Sequence, residues 1–224
     1  MSGPLLPAAV LFDMDGTLID SEPLWLESEH EVMASLGGSW TDADQAVCLG
    51  GPLERVVDYM LERAGSDRPA EDVMVTLLDA MERRLRDTPL AWRPGARHLL
   101  VECLAEGVPT ALVSASWGRL IRAVASRIDE AVGGIAFAAV VAGDDVQNTK
   151  PHPEPYLAAA RTLGHAPANC LALEDSLTGV TSAVAAGCRV IAIPHITTID
   201  TPGATAIATL EGETLATLWN RVSD

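Results

Sequence analysis

Short apolar runs alternate with helix-length amphipathic stretches along most of this chain. Ala8 to Phe12 is an uninterrupted apolar run, the pattern of a strand buried on both faces. Between about Pro23 and Thr88 the pattern changes to helical segments broken at Gly37-Gly38, at Gly50-Gly51-Pro52 and between Gly65 and Pro69. The last of these, from Ala70 to Arg86, places Val73, Leu77, Leu78, Met81 and Leu85 at helical spacing, and no segment in the region reads as a strand. Alternation then resumes. Helices are expected over 94–106, 120–132, 153–163 and 177–186, and strands over 108–113, 137–141, 170–173 and 190–193. After Thr198 the pattern predicts a loop and a closing helix near 213–222.

Strand–helix alternation of this kind implies a Rossmann-like, doubly wound parallel sheet with helices on both faces. The helical region interrupts it after the first strand. The expected architecture is an α/β core (1–18 and 92–224) with an inserted all-helical cap (19–91), able to close over the sheet's active edge. Ligands of such sheets bind beyond the carboxyl ends of the strands. The polar clusters Asp13-Met14-Asp15-Gly16, Ser114-Ala115-Ser116, Gly143-Asp144-Asp145 and Glu174-Asp175-Ser176 all fall at those ends.

The pair Asp13 and Asp15 is the first chemical signal. Side chains two residues apart on extended chain share a side, and Gly16 lets the backbone turn at once. Adjacent carboxylates are tolerated if a cation lies between them or one keeps a proton. A magnesium ion suits such a place, since it takes oxygen ligands and retains waters. One carboxylate could then attack phosphorus while the other exchanges a proton. An Asx turn is the ordinary alternative for an isolated Asp-x-Asp. Lys150, Ser114 and Glu174-Asp175 each have ordinary readings too: a lysine before a proline turn, a strand-ending serine, a helix-capping acid. Together, each at a strand end, they point to phosphoryl chemistry.

Bulk properties narrow the field. The chain has 224 residues, 48% of them hydrophobic, enough for a sizeable core. A formal net charge of −16 argues against sequence-independent nucleic-acid binding, which rests on lysine and arginine. No window reaches the ~20 apolar residues of a membrane span. The start MSGPLLPAAV lacks the pattern of a signal peptide, and the four cysteines have neither CxxC nor zinc-like spacing. Free thiols, a cytoplasmic location and no membrane partner are expected. The histidines show no metal spacing, and Trp25 and Trp40 read as packing residues of the helical region.

The set DMDGT, Ser114, Lys150 in KPHPEPY and EDS resembles the four ordered motifs of the haloacid dehalogenase superfamily, closest to its β-phosphoglucomutase-like phosphatase branch. The resemblance spans nearly the whole chain. It implies Asp13 as a nucleophile that becomes phosphoaspartate and Asp15 as general acid/base. Phosphate would be bound by Ser114, Lys150 and backbone amides near Asp15, Gly16 and Ala115. Magnesium would be held by Asp13, the Asp15 carbonyl and Asp175, with Glu174 as a supporting acid. The related sugar mutase has a histidine where Trp25 stands and a lysine-glycine loop where this chain reads Cys48-Leu49-Gly50-Gly51-Pro52-Leu53. Trp117-Gly118 replaces the polar residues that follow its serine. Arg55 is near the cap loop but out of register. The expected function is therefore a Mg-dependent phosphatase for a small phosphorylated metabolite, a sugar or polyol phosphate. A sugar phosphate mutase and a non-catalytic phosphometabolite-binding protein are the alternatives. Glu22 and Arg55 are candidate substrate contacts from the cap. Oligomeric state is left open, and a monomer is compatible with the sequence.

Overall fold

A computed structural model of the chain describes residues 6–48, 52–195 and 199–223. In chain order its elements are β1 (Ala9–Phe12), α1 (Glu22–Ser35), α2 (Asp42–Cys48), α3 (Leu53–Ala64), α4 (Ala70–Asp87), α5 (Ala96–Glu106), β2 (Thr110–Val113), α6 (Gly118–Val132), β3 (Ala139–Val141), α7 (Glu154–Leu163), β4 (Cys170–Glu174), α8 (Leu177–Ala185), β5 (Arg189–Ala192), β6 (Ala204–Ala206) and α9 (Leu215–Arg221). The residues Met1 to Leu5, Leu49 to Gly51 and Thr198, on which some of the expectations above rest, lie outside the described residues.

The strands form one parallel sheet in the order β3-β2-β1-β4-β5-β6. Alternate residues of a strand face opposite sides. Ala9 and Leu11, with Ala111, Val113, Ala172 and Val190, pack against Tyr156, Ala159 and Ala160 of α7 and Val180 and Ala183 of α8. Val10, Phe12, Leu112, Leu171, Leu173 and Ile191, of the opposite parity, are equally buried. Buried apolar residues of both parities are what a parallel sheet covered on both faces requires. The α/β, doubly wound architecture expected from the alternation is the one observed. One strand escaped the sequence reading: β6, three residues at the sheet edge, lies where only a loop was expected.

The chain divides into two compact units, Met1–Asp20 with Leu90–Asp224, and Ser21–Pro89. The sequence reading drew these divisions two residues away, at 18/19 and 91/92. Every regular element among the second unit's described residues is a helix. Helix α4 packs on α1 and α3, and Val32, Met33, Trp40, Val57, Met60, Val73 and Leu77 form its core. Trp40 is buried in that core and Trp25 packs against it.

In the sheet unit, the departing and returning chain segments run side by side. Ile19 bridges Trp92 antiparallel and Asp15 in parallel. The Asp20 N–H donates to the Ala91 carbonyl (2.8 Å), and Arg93 N–H to that of Leu18 (2.9 Å).

Candidate active site

Parallel register brings the sequence clusters to one edge. Phe12 pairs with Leu112 on one side and Leu173 on the other, so Asp13, Ser114 and Glu174 emerge at the same sheet boundary. Backbone bonds continue past the strands: Asp13 N–H donates to Leu173 O and Ser114 N–H to Val141 O, both at 3.0 Å.

Lys150, buried in the loop before α7, organises the centre. Its Nζ donates to Asp13 Oδ1 (2.7 Å), Glu174 Oε1 (2.5 Å) and the Val113 carbonyl (2.9 Å). Tyr156 on α7 donates its hydroxyl to Glu174 Oε1 (2.6 Å), and Ser176 Oγ donates to Glu174 Oε2 (3.2 Å) while accepting from Gly179 N–H at the start of α8. Glu174 is fully buried. A Cβ at Gly179 would collide with its carboxylate, and a Cβ at Gly16, where φ is +81°, would collide with that of Asp175. Thr17 Oγ1 lies 3.5 Å from Asp175 Oδ1.

Three carboxylates therefore face one ammonium group. Burial pushes Asp13 well above the usual carboxylate range; the Glu174 charge adds to this and Lys150 opposes it. Burial, with the Glu174 charge, raises Asp175 to about 7. Burial alone would lower Lys150, but the Asp13 and Glu174 carboxylates outweigh it and raise the ammonium instead. Such a cluster is short of positive charge. Asp13 Oδ2 is also buried without a hydrogen-bond partner. Ligand oxygens of Asp13, Glu174 and Asp175 lie within 4.8 Å of one another. An orphaned carboxylate oxygen beside two further carboxylates is a donor set that fits a hard divalent cation.

Asp15 is half-buried nearby. Its Oδ2 accepts from Ser116 Oγ at 2.7 Å and from Ser114 Oγ at 3.3 Å. Gly16 is buried and Ala115 exposed on the same two loops. The other two candidates belong to the helical unit, and each has a partner there. Glu22 accepts from Gln45 Nε2 (2.8 Å), and Arg55 donates to the Val47 and Cys48 carbonyls that end α2. Sequence reasoning missed Ser116 and Tyr156. Both lie inside quoted motifs, but nothing in residue type or spacing says where a hydroxyl points.

The profile of the haloacid dehalogenase-like hydrolases matches residues 10–193. The chain belongs to that family. Hexitol phosphatase B of Escherichia coli is 35% identical over 195 residues, which are 87% of this hydrolase and 86% of that protein. Phosphorylated carbohydrates phosphatase of Thermotoga maritima is 30% identical over 188 residues, 84% and 85% of the two chains. Among solved structures, a mutant of CbbY from Rhodobacter sphaeroides in complex with xylulose-(1,5)-bisphosphate superposes with a TM-score of 0.80 at 28% identity, covering 95% of this hydrolase and 99% of that chain. The haloacid dehalogenase-like hydrolase described here is an enzyme of the phosphoric monoester hydrolase class.

Proposed function

We propose that this hydrolase removes phosphate from a sugar or polyol monophosphate, with Asp13 as nucleophile and magnesium as cofactor. The observation that carries the reading is the buried Asp13–Lys150–Glu174 constellation with the half-buried Asp175 beside it and one Asp13 oxygen left unpartnered. Two relatives of near-equal length, named for hexitol and carbohydrate phosphates, support the substrate class. The cytoplasm is the compartment we assign.

Asp13, the Asp15 carbonyl and Asp175 would hold the magnesium, with Glu174 beside them. When bound, the ion supplies charge that draws phosphate oxygens toward the carboxylates and offsets their repulsion. The remaining work falls to the chain. An Asp13 oxygen attacks phosphorus as the ester P–O bond breaks, giving a phosphoaspartate. Asp15 gives its proton to the departing alkoxide, then takes one from the water that releases phosphate from Asp13. Lys150 holds Asp13 in line and balances charge on the phosphoryl oxygens, aided by the Ser114 hydroxyl. Glu174, fixed by Tyr156 and Ser176, keeps Lys150 in place.

The test is release of inorganic phosphate from hexitol, hexose and pentose phosphates with added magnesium. Asp13→Asn should lower turnover by about 10³-fold or more. Full activity in that variant would remove the assigned nucleophile. Conversion of β-glucose 1-phosphate to glucose 6-phosphate, given a bisphosphate activator and with little free phosphate, would instead establish a mutase. Tight binding of these esters without turnover would establish a sensor.

A further inference from the structure

We propose that Ser116 is a positioning residue for Asp15 and thereby sets how well the enzyme expels alkoxide leaving groups. The inference rests on the acid–base role given to Asp15 above. Two hydroxyls reach Asp15 Oδ2, and they are not equivalent. Ser116 Oγ donates at 2.7 Å, whereas Ser114 Oγ stands at 3.3 Å and itself accepts from the Ser116 N–H (3.0 Å). The short contact spans 101 residues of sequence, from the loop after β2 to the loop after β1.

The loop that carries Ser116 is itself anchored. The Ser116 carbonyl accepts from Gly143 N–H at 2.9 Å, and a Cβ on Gly143 would strike the Ala115 carbonyl. Two residues on, the Gly118 N–H that opens α6 donates to Asp144 Oδ1 at 2.7 Å. The end of β3 thus holds the loop, and the loop holds Asp15. A general acid must sit within hydrogen-bond reach of the leaving oxygen, and small misplacements of reacting groups cost about 10²-fold. A serine hydroxyl can donate to an ionised carboxylate or accept from a protonated one by rotating. One contact therefore serves both halves of the reaction.

The consequence is selective. Ester cleavage that expels an alkoxide needs the proton; expulsion of p-nitrophenolate does not. The experiment compares single-turnover phosphorylation by a hexitol phosphate and by p-nitrophenyl phosphate in wild type, Ser116→Ala, Ser116→Thr and Asp15→Asn. In Ser116→Ala the alkyl-to-aryl rate ratio should fall about 10- to 100-fold. Ser116→Thr, which keeps the hydroxyl, should restore it to within about threefold, and Asp15→Asn should lower it at least as far as Ser116→Ala. An unchanged ratio in a folded Ser116→Ala protein overturns the proposal. So does an equal fall for both esters, which would mean loop damage, or an altered KM alone, which would mean substrate binding. If Ser116→Ala does not fold, the Thr variant decides: a folded Thr protein with a depressed ratio overturns it. Wild-type protein that turns over neither ester removes the acid–base reading of Asp15 and this proposal with it, whereas phosphatase activity with an unchanged ratio removes this proposal alone.

Discussion

Tyr156 shows what a single hydroxyl contributes at the residue scale. It is fully buried, donates to Glu174 at 2.6 Å, and its ring lies 5.2 Å from Lys150 Nζ. Burial and the neighbouring Glu174 and Asp13 charges push the phenol well above its usual range, so it stays a donor. Tyr156→Phe leaves Glu174 short of one charge-assisted bond, which costs about 1.5–3 kcal/mol. The fall should appear in a denaturant midpoint. Because Lys150 and Ser176 still hold Glu174, turnover should fall by no more than about tenfold. The letters put the acids at successive strand ends, where they are found; Lys150, expected at a strand end too, comes instead from the loop before α7 and reaches Asp13 and Glu174 from there. The letters did not disclose Tyr156 or Ser116. A tyrosine between a proline and a leucine at the start of a helix reads as core, and a serine at a strand end reads as a turn. Only the three-dimensional register turns either hydroxyl toward a carboxylate.

At the scale of elements, the helical unit carries a titration of its own. Glu29 on α1 is 4% exposed and shares the Trp40 indole N–H with Gln45. Burial, then the Glu22 charge, raises its carboxyl from 4.5 to about 7, against the pull of Trp40 and Gln45. Between those values the folded state binds a proton that the unfolded chain has released. Stability is therefore highest below about 4.5 for this group and falls as pH rises toward about 7. At about 1.4 kcal/mol for each pH unit between the two values, the loss reaches roughly 3 kcal/mol. Glu29→Gln keeps an oxygen for Trp40 and should remove that slope. Urea unfolding of wild type and variant at pH 5 and pH 8 checks it; equal slopes would refute it. Elements of this length were legible from apolar spacing: Val73, Leu77, Leu78, Met81 and Leu85 are all buried on α4. Strand β6 was not, because three residues of alanine and threonine give no periodicity above that of a loop.

For the whole molecule, the proposed magnesium site at the acidic centre would tie stability to a cation. A divalent ion that binds only the folded state adds about 2.7 kcal/mol at a hundredfold excess over its Kd, or some 5–10 °C in a chain of this size. Magnesium should raise the melting temperature by that order, and a chelator should reverse it. In Asp175→Asn the increment should shrink or vanish. A melting point indifferent to magnesium would argue against the donor set. The change of apolar pattern after the first strand suggested an inserted helical unit, but no pattern says how the chain manages the interruption. The Asp20-to-Ala91 and Leu18-to-Arg93 backbone bonds mean that the polypeptide exits and re-enters at one doorway. A two-residue Asn-Gly turn could then join Asp20 to Leu90 directly, as in a tight hairpin. The shortened protein should keep its cooperative unfolding and its six-strand circular dichroism. An insert spliced at such a doorway can be exchanged without re-engineering the scaffold that carries it.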